Sequence, residues 1–180
     1  YDTAAYGYTA SNITSIPVSD IFELILVELR TGTSSRTKVA ESAVLLRSDG
    51  TIVNTNGTIP VTFADLSAGN YYVVVRHRNH LAIMTANPIS LNSNSALYDF
   101  TTSQSQAFTS GTEPMVALVE GGYGMIAGDG NNSEIITAAD VTPIIANLNY
   151  SVYTSADINM SGIVTAADVT KIISNLNKVT

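Results

Sequence analysis

Apolar and polar residues alternate in short runs over the first two thirds of the chain. Between Ile21 and about Met125 the runs are rich in Val, Ile, Leu and Tyr, and Gly, Asn, Asp and Ser separate them. Two runs are joined by Asp49-Gly50, a dipeptide typical of tight hairpins. Seven to nine short strands with frequent turn signals predict an antiparallel β-sandwich of the immunoglobulin-like kind, with a closed barrel as the alternative. The runs are FELILVELR, SAVLLRSDGTIVN, IPVTFADL, NYYVVVRHR, LAIMTA, ALYDFTT, PMVALVE and GYGMIAG.

The period of the apolar residues changes from two to about 3.6 after Gly128. Two stretches place four apolar residues each on one face of a short helix, and we expect both faces to pack in the core. We therefore predict two domains, a sandwich over residues 1–125 and a small α module over residues 126–180. Within the sandwich, residues 1–18 form an N-terminal extension or the first strand. The two faces consist of Val141, Ile144, Ile145 and Leu148, and of Val169, Ile172, Ile173 and Leu176.

The composition excludes several classes of partner. The net charge of -7 and the pI of about 4.5 oppose binding to nucleic acid or to anionic lipid. No apolar run approaches the roughly 20 residues that a membrane helix needs. The chain begins at Tyr1 without a Met, so we expect a processed product or an excised piece. The lack of cysteine leaves the compartment open, but the low charge with much Thr, Ser, Asn and Tyr is typical of extracellular bacterial β-proteins.

The two predicted helices belong to an internal repeat. Residues 129–149 and 157–177 align with an offset of 28 and are identical at 15 of 21 positions. Each copy carries side-chain oxygens at positions 1, 3, 5, 9 and 12 of a twelve-residue loop, and the main-chain carbonyl of position 7 is a further oxygen ligand. The repeat therefore predicts two calcium sites. Their ligands are Asp129, Asn131, Ser133, Ile135, Thr137 and Asp140 in the first loop, and Asp157, Asn159, Ser161, Ile163, Thr165 and Asp168 in the second.

The two loops differ at position 6, where a turn with positive φ favours glycine. The second loop has Gly162 there and the first has Glu134, so the second is the better predicted site. Thr137 and Thr165 stand three residues before the last aspartate of their loops, which is the spacing of a capping box. We also expect the apolar position 7 of each loop to pair with its twin, and folding of the segment to depend on the metal.

The repeat resembles a dockerin, the small module by which secreted bacterial proteins bind a cohesin partner. The resemblance covers residues 128–180 and rests on the duplicated loop and helix with Asp at position 12. It implies a protein partner, either a cohesin-like module or another copy of the chain. It also implies a docking surface at the end of each loop and along the adjoining helix. That surface consists of Ala138, Ala139, Ala166, Ala167, Lys171 and Lys178, and its alanines imply an apolar contact.

Two further features bear on that surface and on the region before it. Pro143 lacks an amide hydrogen and should bend or delay the first helix, so the two copies need not present equal faces. The stretch GNYYVVVRHRNHLAIMTA resembles noncatalytic sandwich modules of secreted or surface proteins of Bacteroidetes-like bacteria. That second resemblance implies an extracellular, noncatalytic role.

The remaining clusters of polar residues do not define a catalytic centre. His77 and His80 lie in the segment RHRNH, which we interpret as a strand end with a positive patch, although a turn at Asn79 could bring the histidines together. No nucleophile, zinc or phosphate-loop motif is present. The acids left open are Glu23, Glu28, Glu41, Glu113 and Glu120.

The sequence thus predicts a noncatalytic protein for calcium-dependent adhesion or assembly outside the cell or at its surface. Two alternatives stay open. The chain could be a subunit of an extracellular filament, in which the helices of one copy dock on the sandwich of the next. It could also be a carbohydrate-binding accessory module of a secreted enzyme, using some of its nine tyrosines.

Overall fold

A computed structural model describes residue 17, residues 19–151 and residues 153–180. The predicted N-terminal extension or first strand at 1–18 therefore lies outside the described residues, apart from Pro17. The chain divides into two compact units, one of residues 1–76 and 87–97, the other of residues 77–86 and 98–180. The described strands are β1 (Ile21–Arg30), β2 (Lys38–Arg47), β3 (Ile52–Val53), β4 (Gly69–His77), β5 (His80–Met84), β6 (Ile89–Leu91), β7 (Val116–Ala117) and β8 (Tyr123–Gly124).

The first unit is built on an antiparallel sheet with the strand order β3-β2-β1-β4, and β6 pairs with β4. In the register of this sheet Leu26 lies opposite Ala43 on β2 and opposite Arg76 on β4. The long apolar run of β1 is buried from Glu23 to Arg30 because neighbouring strands cover both of its edges and its side chains are enclosed on both faces. One cluster of its core consists of Leu24, Leu45 and Val53.

The second unit contains β5, the two-stranded sheet of β7 and β8, and two short helices, α1 (Val141–Ala146) and α2 (Ala166–Ser174). Its core is apolar and draws on both copies of the repeat as well as on β5. The buried residues of this core are Leu81, Ile126, Ile136, Ile144, Ala156, Ile158, Val164 and Ile172.

No helix in the part of the chain that the structure describes is long and apolar enough to cross a membrane.

The prediction of a mainly antiparallel β-protein with a small helical part is confirmed. The Asp49-Gly50 hairpin joins β2 to β3, with Gly50 at φ 86° and the Asp49 carboxylate accepting the amide hydrogen of Thr51. Two predicted strands are wrong. IPVTFADL is irregular because Pro60 has no amide hydrogen for a ladder, and in ALYDFTT the Asp99 carboxylate caps a 3₁₀ turn at Phe100–Thr102.

The expectation that both helical faces pack entirely in the core is also wrong. Ile144 and Ile172 are 1% and 0% exposed, but the next residues, Ile145 and Ile173, are 66% and 62% exposed. Neighbouring residues on a helix point about 100° apart, so only one isoleucine of each pair can face the core of so short a helix. Leu148 and Leu176 lie beyond the helix ends and are exposed as well.

Candidate metal-binding loops

The first loop, residues 129–140, is folded by hydrogen bonds to its own predicted ligands. Both carboxylate oxygens of Asp129 accept main-chain amides, Oδ1 from Ser133 at 2.8 Å and Oδ2 from Glu134 at 3.0 Å. The Ser133 amide also donates to Oδ1 of Asn131 at 3.0 Å, and the Ser133 hydroxyl donates to the carbonyl of Ile135 at 3.0 Å. Oxygens of positions 1, 3, 5 and 7 are therefore drawn toward one side of a tight turn.

The second loop, residues 157–168, repeats these contacts residue by residue. Ser161 N donates to Asp157 Oδ1 and to Asn159 Oδ1, both at 3.0 Å, and Gly162 N donates to Asp157 Oδ2 at 2.9 Å. The Ser161 hydroxyl donates to the carbonyl of Ile163 at 3.1 Å. Equal sequences at the ligand positions thus give equal local structures.

The last aspartate closes each loop and starts the helix after it. In the first loop Asp140 Oδ1 accepts the amide of Asn131 at 3.2 Å, and its Oδ2 accepts the amide of Thr137 at 2.7 Å. Asp168 holds Asn159 and Thr165 in the same way, at 2.9 and 2.8 Å. Each threonine hydroxyl also caps the next turn, so the predicted capping boxes are confirmed.

The four aspartates at positions 1 and 12 are buried, with exposures of 2% and 0% in the first loop and 4% and 0% in the second. Burial raises the pKa of Asp129 to about 6, although the amides of Ser133 and Glu134 favour its ionised form. Within residues 19–151 and 153–180, together with residue 17, no three His, Cys, Asp or Glu side chains form a metal-binding group. A metal ion here would therefore rely on two carboxylates and on neutral oxygens in each loop.

Glu134 does not change the backbone of the first loop. Its φ is 66°, in the left-handed region, and Gly162 at the same position of the second loop has φ 87°. Asn132 and Met160, at position 4 of the two loops, also match, with φ 56° and 58°. The glutamate therefore adopts the conformation that glycine adopts freely, at a cost of about 1 kcal/mol.

The expected pairing of Ile135 with Ile163 does not occur. Ile135 forms a β-bridge with Val179, and the amide of Ile136 donates to the carbonyl of Lys178 at 3.0 Å. In the second loop the amide of Val164 donates to the carbonyl of Tyr150 at 3.0 Å. Each loop therefore pairs with the segment after the helix of the other copy, because the two copies are interleaved.

The turn between β4 and β5 joins the loops to the rest of the second unit. The side-chain amide of Asn79, which is fully buried, donates to the carbonyl of Asp157 at 2.6 Å. The main-chain carbonyl of Asn79 accepts the amide of Gly128 at 2.9 Å, one residue before the first loop. The sequence indicated a turn at Asn79 but not these contacts, because an asparagine between Arg78 and His80 carries no further pattern.

The predicted positive patch around this turn is wrong. Arg78 is 4% exposed, and its guanidinium lies 4.5 Å from the centre of the Tyr153 ring. The turn does bring the histidines together, since Nδ1 of His77 and Nδ1 of His80 are 2.8 Å apart. Burial, with His77 and Arg78 as further causes, lowers the pKa of His80 well below its ordinary value.

The residues of the predicted docking surface lie at the surface of the second unit. Alanines 138, 139, 166 and 167 and Lys171 are exposed, whereas Lys178 is half-buried and lies 3.7 Å from the carboxylate of Glu113. Helix α1 begins three residues later than α2 relative to the repeat, and Ala138–Asp140 form a 3₁₀ turn instead. This agrees with the delay expected from Pro143.

Most of the acids that the sequence left open for catalysis have structural partners. Glu23 accepts the amide of Leu24, and Glu28 lies between the guanidinium groups of Arg30 and Arg76. Glu41 pairs with Lys38 at 2.5 Å, and Glu113 with Lys178. Glu120 is exposed in the turn between β7 and β8. Glu23, Glu28, Glu41 and Glu113 thus each have a structural partner.

No protein-family model and no curated protein matches the chain. Among solved structures, it is similar to chains of two interface mutants of a type II cohesin–X–dockerin complex from Acetivibrio cellulolyticus. The N-terminal interface mutant is 21% identical and the C-terminal interface mutant 22% identical. In both comparisons the match covers 94% of this chain and 90% of that chain, with a TM-score of 0.47.

The compact units correct the family assignment made from the sequence. The predicted dockerin module over residues 126–180 is wrong as a separate unit, because the unit that holds both loops extends beyond those residues. The structure gives the physical reason. The compact unit that holds both loops also includes residues 77–86 and 98–125, and Leu81 lies in the same core as Ile144 and Ile172. The resemblance of the upstream region to Bacteroidetes-like sandwich modules likewise finds no match.

Proposed function

We propose that loops 129–140 and 157–168 each bind one calcium ion. The observation that carries the proposal is the identical folding of both loops around buried aspartates at positions 1 and 12. Buried carboxylates are costly unless a positive charge compensates them, and calcium would supply that charge. The ligands are carboxylate, amide, hydroxyl and carbonyl oxygens. Such oxygen ligands suit a hard cation like calcium better than they suit softer metals.

The charge of the sites sets the expected affinity. Two carboxylates per loop are fewer than high-affinity calcium buffers use, so we expect a Kd on the order of 10⁻⁴ M, as in extracellular modules. Magnesium is a poorer fit, since it demands a rigid octahedral shell and retains its water. The ligands proposed are those predicted from the sequence, with the carbonyls of Ile135 and Ile163 at position 7.

Titration calorimetry of the whole chain tests this proposal. We expect two calcium ions per chain, and one each for Asp140→Asn and Asp168→Asn, which keep the shape of the side chain but halve the carboxylates of one loop. Asp65→Asn, at an exposed position outside the loops, is the matched control and should leave both sites intact. Absence of calcium uptake by the unsubstituted chain, or unchanged uptake by both loop variants, would falsify the proposal.

We further propose that the chain is a noncatalytic, extracellular protein that binds another protein in a calcium-dependent way. The supporting observation is an apolar face that both copies of the repeat expose in equivalent places, which we call the outer helix face. The alanines at positions 10 and 11 of each loop are exposed as well, and so is Lys171 on α2. Paired apolar residues at the surface are typical of protein contact sites. The outer helix face consists of Ile145, Leu148, Ile173 and Leu176.

Calcium would act on this face through the helices. Asp140 and Asp168 are both the last proposed ligands of the loops and the acidic members of the capping boxes, of which one lies just before α1 and the other at the start of α2. Loss of the ion would leave these buried charges uncompensated and weaken the helices that present the face. Docking should therefore fail in chelator even though no ion touches the partner.

The docking proposal is tested by capture and by sizing. The immobilised chain should retain a protein of the culture fluid in calcium, but not in chelator and not after the double change Ile145→Ser and Ile173→Ser. Calcium-dependent polymers of the purified chain that the same double change abolishes would identify another copy as the partner, as in a filament. Calcium-dependent capture that survives the double change would overturn the assignment of the outer helix face.

A further inference from the structure

The buried turn residue Asn79 lies at the start of both calcium loops. Its side-chain Nδ2 donates to the carbonyl of Asp157, the first ligand residue of the second loop, at 2.6 Å. Its main-chain carbonyl accepts the amide of Gly128, which precedes Asp129 and the first loop, at 2.9 Å. One side chain and one peptide group of the same residue thus hold the two starting points, which are 28 residues apart in sequence.

Two histidines fix the direction in which the Asn79 amide points. Its Oδ1 lies 2.7 Å from Nδ1 of His80, and Nδ1 of His80 lies 2.8 Å from Nδ1 of His77. The main-chain amide hydrogen of Asn79 points toward Nδ1 of His77 at 3.5 Å. A proton on Nδ1 of His80, shared between Oδ1 of Asn79 and the unprotonated Nδ1 of His77, makes Oδ1 of Asn79 the acceptor and leaves Nδ2 directed at the Asp157 carbonyl.

The environment makes this arrangement rigid. Asn79 is 0% exposed, and His77 is 5% exposed. The residues on either side of the turn are held as well, since the amide of Leu81 donates to the carbonyl of Ile126 at 2.8 Å. A buried amide held through both its Oδ1 and its Nδ2 cannot move without breaking a hydrogen bond, so we expect a shift at one loop start to affect the other.

From these contacts we infer that Asn79 is a positioning residue for calcium binding, which orients the first ligand of the second loop through its side chain and couples the two loops through its peptide group. The inference rests on the proposed function. Because the side chain and the peptide group of Asn79 make separate contacts, a side-chain substitution should affect the two loops differently. Removing the side chain removes the link to Asp157 but leaves the main-chain link to Gly128 in place.

The test measures calcium affinity by titration calorimetry in chains that keep a single loop. With Asp140→Asn only the second loop binds, and there Asn79→Ala should weaken binding about tenfold, the size expected for one lost buried hydrogen bond. With Asp168→Asn only the first loop binds, and the same change should weaken binding by no more than about twofold. In the unsubstituted background, Asn79→Ala should also reduce the cooperativity between the two binding steps.

Two further variants separate positioning from general stability. Asn79→Asp keeps the size of the side chain but places an acceptor against the Asp157 carbonyl, so it should impair the second loop at least as much as Asn79→Ala. Asn147→Ala removes another asparagine contact, from Nδ2 to the carbonyl of Pro143 at 2.8 Å, and should change both affinities by less than about twofold. Thermal unfolding in saturating calcium shows whether each variant folds.

Equal losses in both single-loop backgrounds, or none in either, overturn the role of Asn79 while the calcium sites stand. If the unsubstituted chain takes up no calcium, the proposed function fails and this inference fails with it. If neither Asn79→Ala nor Asn79→Asp folds in saturating calcium, Asn79 is needed for the fold itself, and its role as a positioning residue is overturned.

Discussion

Glu134 and Gly162 occupy the same position of two loops 28 residues apart and share a left-handed backbone, at φ 66° and 87°. The surrounding hydrogen bonds hold both residues alike, since each donates its amide to Oδ2 of the first aspartate, at 3.0 and 2.9 Å. The first loop therefore keeps its shape by imposing on glutamate a conformation that suits glycine.

Replacing Glu134 by glycine should relieve that strain. We expect Glu134→Gly to stabilise the calcium-loaded chain by about 1 kcal/mol and to tighten the first site, because the free loop then needs less distortion to bind. Thermal unfolding in saturating calcium and calorimetry of the Asp168→Asn background measure the two effects. The prediction fails if the first site weakens, which would show that the Glu134 side chain itself takes part in binding.

The reverse change in the second loop is the matched control. No atom would lie within 4 Å of a Cβ placed on Gly162, so Gly162→Ala introduces backbone strain without a clash. It should destabilise the chain by about 1 kcal/mol. If Gly162→Ala costs nothing, the left-handed conformation is not the source of the difference between the loops.

Neighbouring isoleucines of α2 should respond to substitution in opposite ways. Ile172 is 0% exposed in the core of the second unit, and Ile172→Ala should cost about 3 kcal/mol through lost burial and the cavity it leaves. Ile173 is 62% exposed, so Ile173→Ala should cost less than about 0.5 kcal/mol. Chemical unfolding in saturating calcium compares them, and equal costs would mean that the outer helix face is buried in solution.

Ile172 and Ile173 show which features of the structure could be predicted from the sequence and which could not. Periodicity located both helices, although Leu148 and Leu176 lie beyond their ends, and the ligand spacing indicated the aspartates that accept hydrogen bonds in the turns. Periodicity could not tell Ile172 from Ile173, because a four-residue apolar face is wider than the contact that one or two helical turns can make. That information lies in the packing of α2 on Ile158 and Val164, which only the fold supplies.

The same limit explains the missed role of the β4–β5 turn. Asn79 carries no pattern of its own, and its contact with Asp157 joins residues 78 positions apart. The predicted boundary between residues 125 and 126 does not coincide with the division of the compact units, because Leu81 completes the core of the helical part. Local motifs predict local structure, whereas such long-range contacts depend on the topology.

In the first unit, Glu28 on β1 lies between Arg30 of the same strand and Arg76 of the neighbouring strand β4. Burial opposes ionisation of Glu28, but the charges and hydrogen bonds of Arg76 and Arg30 outweigh it, so the pKa of Glu28 is lowered. A carboxyl with a lowered pKa in the folded state adds stability above its unfolded pKa and loses it as the pH falls through the folded value. Glu28→Gln should cost about 3 kcal/mol at pH 7, because it removes the buried carboxylate charge that lies between Arg30 and Arg76.

Denaturant unfolding of Glu28→Gln and the unsubstituted chain, at pH 7 and in steps down to about pH 3, should show the difference in stability shrinking below the ordinary glutamate pKa. Glu41→Gln is the control on β2, since its partner Lys38 is exposed, and it should cost less than about 1 kcal/mol at any pH. A constant difference for Glu28→Gln across the range would contradict the assigned ion pairs.

The C-terminal residues complete the first loop, and their removal should affect that loop alone. The carbonyl of Lys178 accepts the amide of Ile136 at 3.0 Å, and the amide of Thr180 donates to the carbonyl of Glu134 at 3.2 Å. The second loop has its equivalent contact with Tyr150, which lies inside the chain.

Deleting residues 178–180 should therefore weaken calcium binding about tenfold in the Asp168→Asn background, through the lost pairing. In the Asp140→Asn background the same deletion should change the affinity by less than about twofold, and calorimetry of the two shortened chains distinguishes them. Equal weakening of both loops would show that the C-terminal segment supports the whole unit, and not the first loop in particular.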